Sequence, residues 1–276
     1  MFDTKAMLVE LTIRQWTARK HDKTVSQEVD KGHGASNAGR YNKILIDKES
    51  LEPISKAGNA LRTYHYSVTL PWGNNGQRLL PSSLFMDYRQ EITTLRREFD
   101  RQVEIFLNKY PALVNEARTR LNTLYDPDDY PSLSSLRNAF GVDMEIFPVP
   151  TAGDFRVDVA NEEKQALQKQ VEEATAQRQT AATKECFTRI RDTLQRMKNQ
   201  CVPGKTRITD SLVESVREIT TVMDALNVAE DPELTRITQL MRDELLVDAE
   251  TLRKSPTTRK VVGDRASEIL ESMIWS

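Results

Sequence analysis

From Phe85 onward the apolar residues of this 276-residue chain run Tyr88, Ile92, Leu95, Phe99, Val103, Phe106, Tyr110, Leu113, Ala117, Leu121 and Leu124, nearly always in steps of three or four. That period is the signature of one face of an α-helix. Held over about 44 residues it predicts a helix of roughly 60–65 Å, too long to be stable in water without a partner along its length. Pro111 lacks an N–H and clashes with the preceding turn, so it predicts a kink or break near Asn108. A second run, Val159 to Cys201, carries Leu167, Val171, Ala174, Ala181, Phe187, Ile190, Leu194 and Met197, with its rhythm slipping between Ala181 and Phe187 in the manner of a stutter. Two runs of matched length joined by a compact insert predict an antiparallel helical hairpin over residues 81–204.

The insert, at about 126–158, reads as a small αβ tip. Ser132 to Phe140 suits a short helix, and Val142, Met144 and Ile146, then Phe155, Val157 and Val159, alternate with polar neighbours as in a β-hairpin. Residues 1–80 read as a small αβ head. Met7, Val9, Leu11 and Ile13 alternate as an opening strand. His21 to Lys31 is helical in pattern, and a helix is expected from Lys48 to about Thr63. The aromatic and β-branched run Tyr64 to Leu70 then reads as a second strand, closed by the turn Pro71-Trp72-Gly73. After residue 205, Thr209-Asp210, Asp231-Pro232 and Ser255-Pro256 each open a helix, which predicts a C-terminal helical bundle. Only 10 glycines are present, six of them before residue 80, which argues against Rossmann, TIM-barrel and all-β architectures. The fold class expected is therefore mainly α with an α+β mix.

With 39 basic and 41 acidic residues the net charge is −2, so the chain carries neither a polybasic tail nor the composition of an acidic DNA mimic. No window approaches the roughly 20 apolar residues that span a bilayer, and the first residues lack the pattern of a signal peptide, so an intracellular protein without membrane contact is expected. Cys186 and Cys201 fall in one predicted helix about 22 Å apart, too far to bridge, and read as two reduced, half-buried thiols.

Catalytic chemistry needs convergent groups, and the motifs for it are missing. His21, His33 and His65 lie in different segments, and neither a His-x-x-x-His nor a Cys-x-x-Cys occurs. The glycine-rich stretch Gly32 to Gly39 lacks the Gly-Lys-Ser/Thr ending of a phosphate-binding loop, although an anion-binding nest beside Arg40 remains an alternative to an ordinary loop. Neither cofactor nor metal is implied, and a non-enzymatic protein is expected. The enzymatic rival would place a small anion site around Arg40, His65 and Tyr66.

Charge is unevenly shared, and this singles out the head. Residues 1–80 hold 12 basic and 8 acidic side chains, leaving an acidic remainder. Arg14, Arg19 and Lys20 accompany Trp16, while Arg40, Tyr41 and Lys43, then His65 and Tyr66, again interleave cations with rings. Nucleic acids ask for that combination, because cations neutralise phosphates and aromatic rings stack on bases. These nine residues form the candidate nucleic-acid interface. The competing reading makes Trp16, Tyr64 and Tyr66 core residues and the cations a solvated rim.

The stretch Gly39-Arg40-Tyr41-Asn42-Lys43, followed by Arg62-Thr63-Tyr64-His65-Tyr66, Leu70-Pro71-Trp72-Gly73, Leu80-Pro81 and Phe147-Pro148-Val149-Pro150, resembles a family of uncharacterised proteins found mostly in tailed bacteriophages and prophages. The resemblance covers roughly residues 7–160 and carries no assigned activity. It implies a protein of the host cytoplasm, made during infection, acting in DNA metabolism, host takeover or counter-defence. The first expectation is a self-associating helical scaffold in phage DNA metabolism whose head binds single- or double-stranded DNA, with a phage AAA+ ATPase as a further partner. The rival is a counter-defence protein that binds and inhibits a host defence protein.

Overall fold

Helical periodicity decides most of this molecule, because few stretches alternate long enough to form strands. A computed structural model describes residues 2–73, 76–151, 161–202 and 208–273. In chain order these form α1 (Phe2–Lys5), β1 (Ala6–Arg14), β2 (Arg19–Asp22), α2 (Lys23–Gly32), β3 (Tyr41–Ile44), α3 (Lys48–Ser67), β4 (Leu70–Pro71), β5 (Arg78–Pro81), α4 (Phe85–Leu121), α5 (Leu133–Asn138), β6 (Gly141–Phe147), α6 (Asn161–Gln200), α7 (Asp210–Leu226), α8 (Pro232–Leu245), α9 (Ala249–Lys254) and α10 (Pro256–Ser272). The class is mainly α with a small sheet. The strands of that sheet are hydrogen-bonded in the order β4-β5-β1-β6, and β2 and β3 make a separate two-stranded ribbon.

The chain forms two compact units, each assembled from separated stretches. One comprises Met1–Glu10, Tyr66–Tyr88 and Glu145–Ser276, the other Leu11–His65 and Arg89–Met144. In the first unit β5 pairs antiparallel with β1, Leu8 opposite Leu79, and with β4, Leu70 opposite Leu79. Both Leu8 and Val9 are buried, so β1 does not keep the one-sided alternation expected of it. The C-terminal half of α6 supplies Cys186, Ile190, Leu194 and Met197 to a core shared with Val216 and Met223 of α7, Ile237 and Met241 of α8, and Val262 and Ala266 of α10. Arg189 of α6 donates to the carbonyls of Ser67 (3.0 Å) and Thr69 (2.8 Å), tying that helix to the start of β4. Helix starts obey their caps. Asp231 accepts from the N–H groups of Glu233 and Leu234, Ser255 accepts from that of Thr258, and a proline follows each at the first helical position.

Four expectations change. The run Tyr64 to Ser67 belongs to α3, because His65 continues the buried stripe Ile54, Ala57, Leu61 at a helical step, and that packing overrides β-propensity. Of the kink or break expected near Asn108, the break does not occur: helix α4 runs on through Pro111, where Leu107, Tyr110 and Ala117, buried on both sides of it, offset the one lost hydrogen bond. No stutter interrupts the buried seam of α6, which runs Ala182, Cys186, Ile190, Leu194, Met197 and Cys201, Phe187 being only half-buried. The C-terminal region contains the extra short helix α9. The second arm of the expected β-hairpin, Phe155 to Val159, lies outside the described residues; β6 is paired with β1. The buried seam of α6 belongs to the first unit, and that of α4 from Ile92 onward to the second. Among the described residues, no helix is long and apolar enough to cross a membrane.

Candidate functional site

The second unit holds most of the candidate residues, arranged around the β2–β3 ribbon. Antiparallel register sets Arg19 opposite Ile44, Lys20 opposite Lys43, His21 opposite Asn42 and Asp22 opposite Tyr41. Since opposed residues share a face and faces alternate, Lys20, Asp22, Tyr41 and Lys43 lie on one side, and Arg19, His21, Asn42 and Ile44 on the other. The two sides differ in character.

Lys43 is 5% exposed. Its Nζ lies 2.5 Å from Asp129 Oδ2 and 3.7 Å from Asp22 Oδ2, and donates to the carbonyl of Leu124 at 2.8 Å. Lys20 Nζ stands 3.8 Å from the other oxygen of Asp129. Burial works against the Lys43 ammonium, but the Asp129 hydrogen bond and the charges of Asp129, Asp22 and Asp126 outweigh it and hold its pKa above the usual lysine value. Lys43, Asp22 and Asp129 form a largely buried ion-pair cluster that fastens the ribbon to the turn following α4, while Lys20 and Tyr41 on the same face stay exposed. Lys43 is thereby removed from the phosphate-binding candidates.

The opposite face is exposed throughout, Ile44 to 47%. Beyond its end opens a cleft of about 640 Å³, lined by Trp16, Arg19, Ile44, Arg120, Phe140 and the first turns of α3 from Asp47 to Ser55. Trp16 is half-buried and packs edge-on against Tyr110, with ring centroids 6.0 Å apart, and against Phe106 at 6.3 Å, so it is held from behind. Phe106 in turn meets Phe140 at 5.9 Å. Arg120 donates to the carbonyls of Ile44 and Leu45, and the Tyr130 hydroxyl also donates to Leu45, so both side chains clamp the end of β3. Asp47 caps α3 by accepting from the N–H and hydroxyl of Ser50. Ala18, buried and held at φ +52°, turns the chain between β1 and β2 in a conformation that alanine rarely adopts; its carbonyl accepts from Leu45 N–H. That turn aims Arg19 at the cleft. A Cβ at Gly58 would collide with the Gln15 carboxamide, whose buried Nε2 has no hydrogen-bond partner, so glycine is what lets α3 close over this side chain.

The remaining candidates disperse. Arg14 is exposed but donates to Asp143 (3.0 Å) and to the Asn138 carbonyl (3.2 Å). Arg40 and Tyr41 are exposed at the start of β3. His65 is buried in the stripe of α3. Tyr66 belongs to the first unit, where its ring lies under the Arg78 guanidinium at 4.5 Å. Sequence reasoning missed Arg120, Phe140 and the α3 N-terminus. Asp47 was legible as a cap, followed three residues later by Ser50, whereas nothing local marks Arg120 as a neighbour of Ile44 across 76 residues. Among the described residues, no three His, Cys, Asp or Glu side chains gather as metal ligands.

Comparison with curated proteins and with solved structures finds no match for this chain. A model of the family described as Protein of unknown function (DUF3150) matches residues 4–271, nearly the whole length, and the chain belongs to that family.

Proposed function

We propose that this protein is a non-enzymatic binding protein whose ribbon-bearing unit holds single-stranded nucleic acid, and that it works as a self-associating scaffold in phage DNA metabolism within the host cytoplasm. The observation that carries the reading is the exposed outer face of the ribbon, where Arg19 and His21 continue into a cleft edged by Trp16, with Arg40 exposed just ahead of β3 and Tyr41 exposed on the ribbon's other face. Cations beside accessible rings are what a single strand requires. Self-association is supported by the first half of α6, where Leu167, Val171 and Ala174 recur in steps of four and three and stay half-covered. The resemblance to phage proteins supports the setting, and makes a phage AAA+ ATPase or a host defence protein the natural further partner.

Fluorescence anisotropy with labelled single-stranded DNA over a salt series tests the reading. Affinity should fall linearly on a log–log plot, each phosphate contact adding roughly 0.7 to the slope. Arg19→Ala with Arg40→Ala should lower that slope by about 1–1.5 while the thermal midpoint holds. Absence of binding at low salt would overturn the reading in favour of an inhibitor of a host protein.

A further inference from the structure

We infer that the cleft between the ribbon and α3 receives one nucleotide unit bearing an amino-substituted base, adenine, cytosine or guanine, unstacked from its neighbours. The inference rests on the nucleic-acid reading above and adds the chemistry of the site. Its volume of about 640 Å³ lies within the range of small-molecule sites and leaves room for a base with its sugar. Trp16, braced by Phe106 and Tyr110, supplies a fixed aromatic wall, and Ile44 an exposed apolar one. A base inside a duplex is stacked on both faces and cannot enter such a cleft, so only a single strand or a free nucleotide fits.

Charge around the cleft is divided by element. Arg19 comes from the ribbon, and Arg120 is bonded to the ribbon's end, so the guanidinium groups gather at that wall. Asp47, the cap of α3, and Glu49 and Glu52 from its first turns line the other wall, with Lys48 the one cation among these cleft residues. A phosphate is drawn to the first wall and repelled by the second. Carboxylates are acceptors only, so the second wall suits a base that presents an exocyclic amine, as adenine, cytosine and guanine do, over thymine, whose one donor is its ring N3–H. Glu49 is exposed and Glu52 is shared with Lys56 at 3.0 Å, leaving Glu49 as the reader of the amine.

The test compares oligo(dA), oligo(dC), oligo(dT) and an abasic strand of equal length, together with adenosine monophosphate, on the full chain. Expected are a roughly five- to tenfold preference for dA and dC over dT, and loss of that preference in Glu49→Gln. Ser55→Trp, which fills the cleft without changing charge, should abolish the preference yet leave the salt slope intact; its circular dichroism and melting must match the parent. Adenosine monophosphate competing as well as the strand identifies a free nucleotide as the occupant and supports the site. Equal affinity for all four strands with a normal salt slope overturns the base site while leaving phosphate binding standing. No binding of any strand or of the nucleotide overturns both.

Discussion

Lys43 shows how one buried charge converts a candidate ligand contact into a structural bolt. Replacing it with alanine leaves Asp129 with the exposed Lys20 ammonium, 3.8 Å away, in place of its close partner, and loss of one partner of a buried pair typically costs about 3–5 kcal/mol. Urea unfolding of Lys43→Ala should show a loss of that size, and a loss below about 1 kcal/mol, as at a surface pair, would mean that the ammonium is solvated. The pH dependence has a definite sign. Because the folded Lys43 pKa is raised above 10.5, its stabilisation is complete below that value and is lost as pH rises through the folded pKa. Tyr110 acts in the same direction. Burial, with Tyr130 and Tyr125 nearby, pushes its pKa up to about 12, so the folded state keeps a proton that the unfolded chain loses near 10. Thermal midpoints should therefore fall steeply between pH 10 and 12, and less steeply in Lys43→Met, which retains only the tyrosine contribution. A flat profile over that interval would contradict the assignment. In the other unit, burial raises both thiols, Cys186 to about 12, which keeps them protonated and inert in the folded state.

At the scale of elements, α10 meets the residue just past the end of α6 at a position without a side chain. A Cβ at Gly263 would stand 3.0 Å from both the Cys201 Cβ and the Cys201 carbonyl oxygen. Backbone cannot yield as a side-chain tip can, so Gly263→Ala should destabilise by about 1–3 kcal/mol through overpacking, although alanine is the better helix former by about 1 kcal/mol. Chemical denaturation decides the sign, and a stabilised variant would show that the two helices separate freely. Burial also explains how well each element could be read. The seam of α4 was legible because large apolar residues mark it at regular steps. That of α6 was misread as stuttering because Ala182 and Cys186 carry it and the conspicuous Phe187 does not. The Tyr64 to Tyr66 run misled for the related reason that its β-forming composition is local, whereas the stripe ending at His65 is set by what α3 packs against.

For the molecule as a whole, the half-covered stripe on the first half of α6 sets the remaining expectation. Light scattering at micromolar concentration should report at least a dimer, against a monomer mass of 31.6 kDa. A clean monomer at 50 µM, roughly the level at which a functional homo-oligomer should be assembled, removes the scaffold reading and leaves the cleft unaffected. Sequence alone determined the class, since sustained three- and four-residue steps and scarce glycine admit little besides helix, and it determined the helix starts at Pro232 and Pro256, whose caps are written in two adjacent residues. It also marked the head as the place where cations and rings mix. Tertiary structure decided which of those cations are free. Lys43 and Arg19 are alike in composition and lie on neighbouring strands, yet the pleat turns one inward to Asp129 and the other outward to the cleft. Strand pairing, register and the gathering of Arg120, Phe140 and Asp47 around Trp16 depend on contacts between residues far apart in the chain, and local residue order carries no signal for them because the free energy that selects them exists only once the chain has packed.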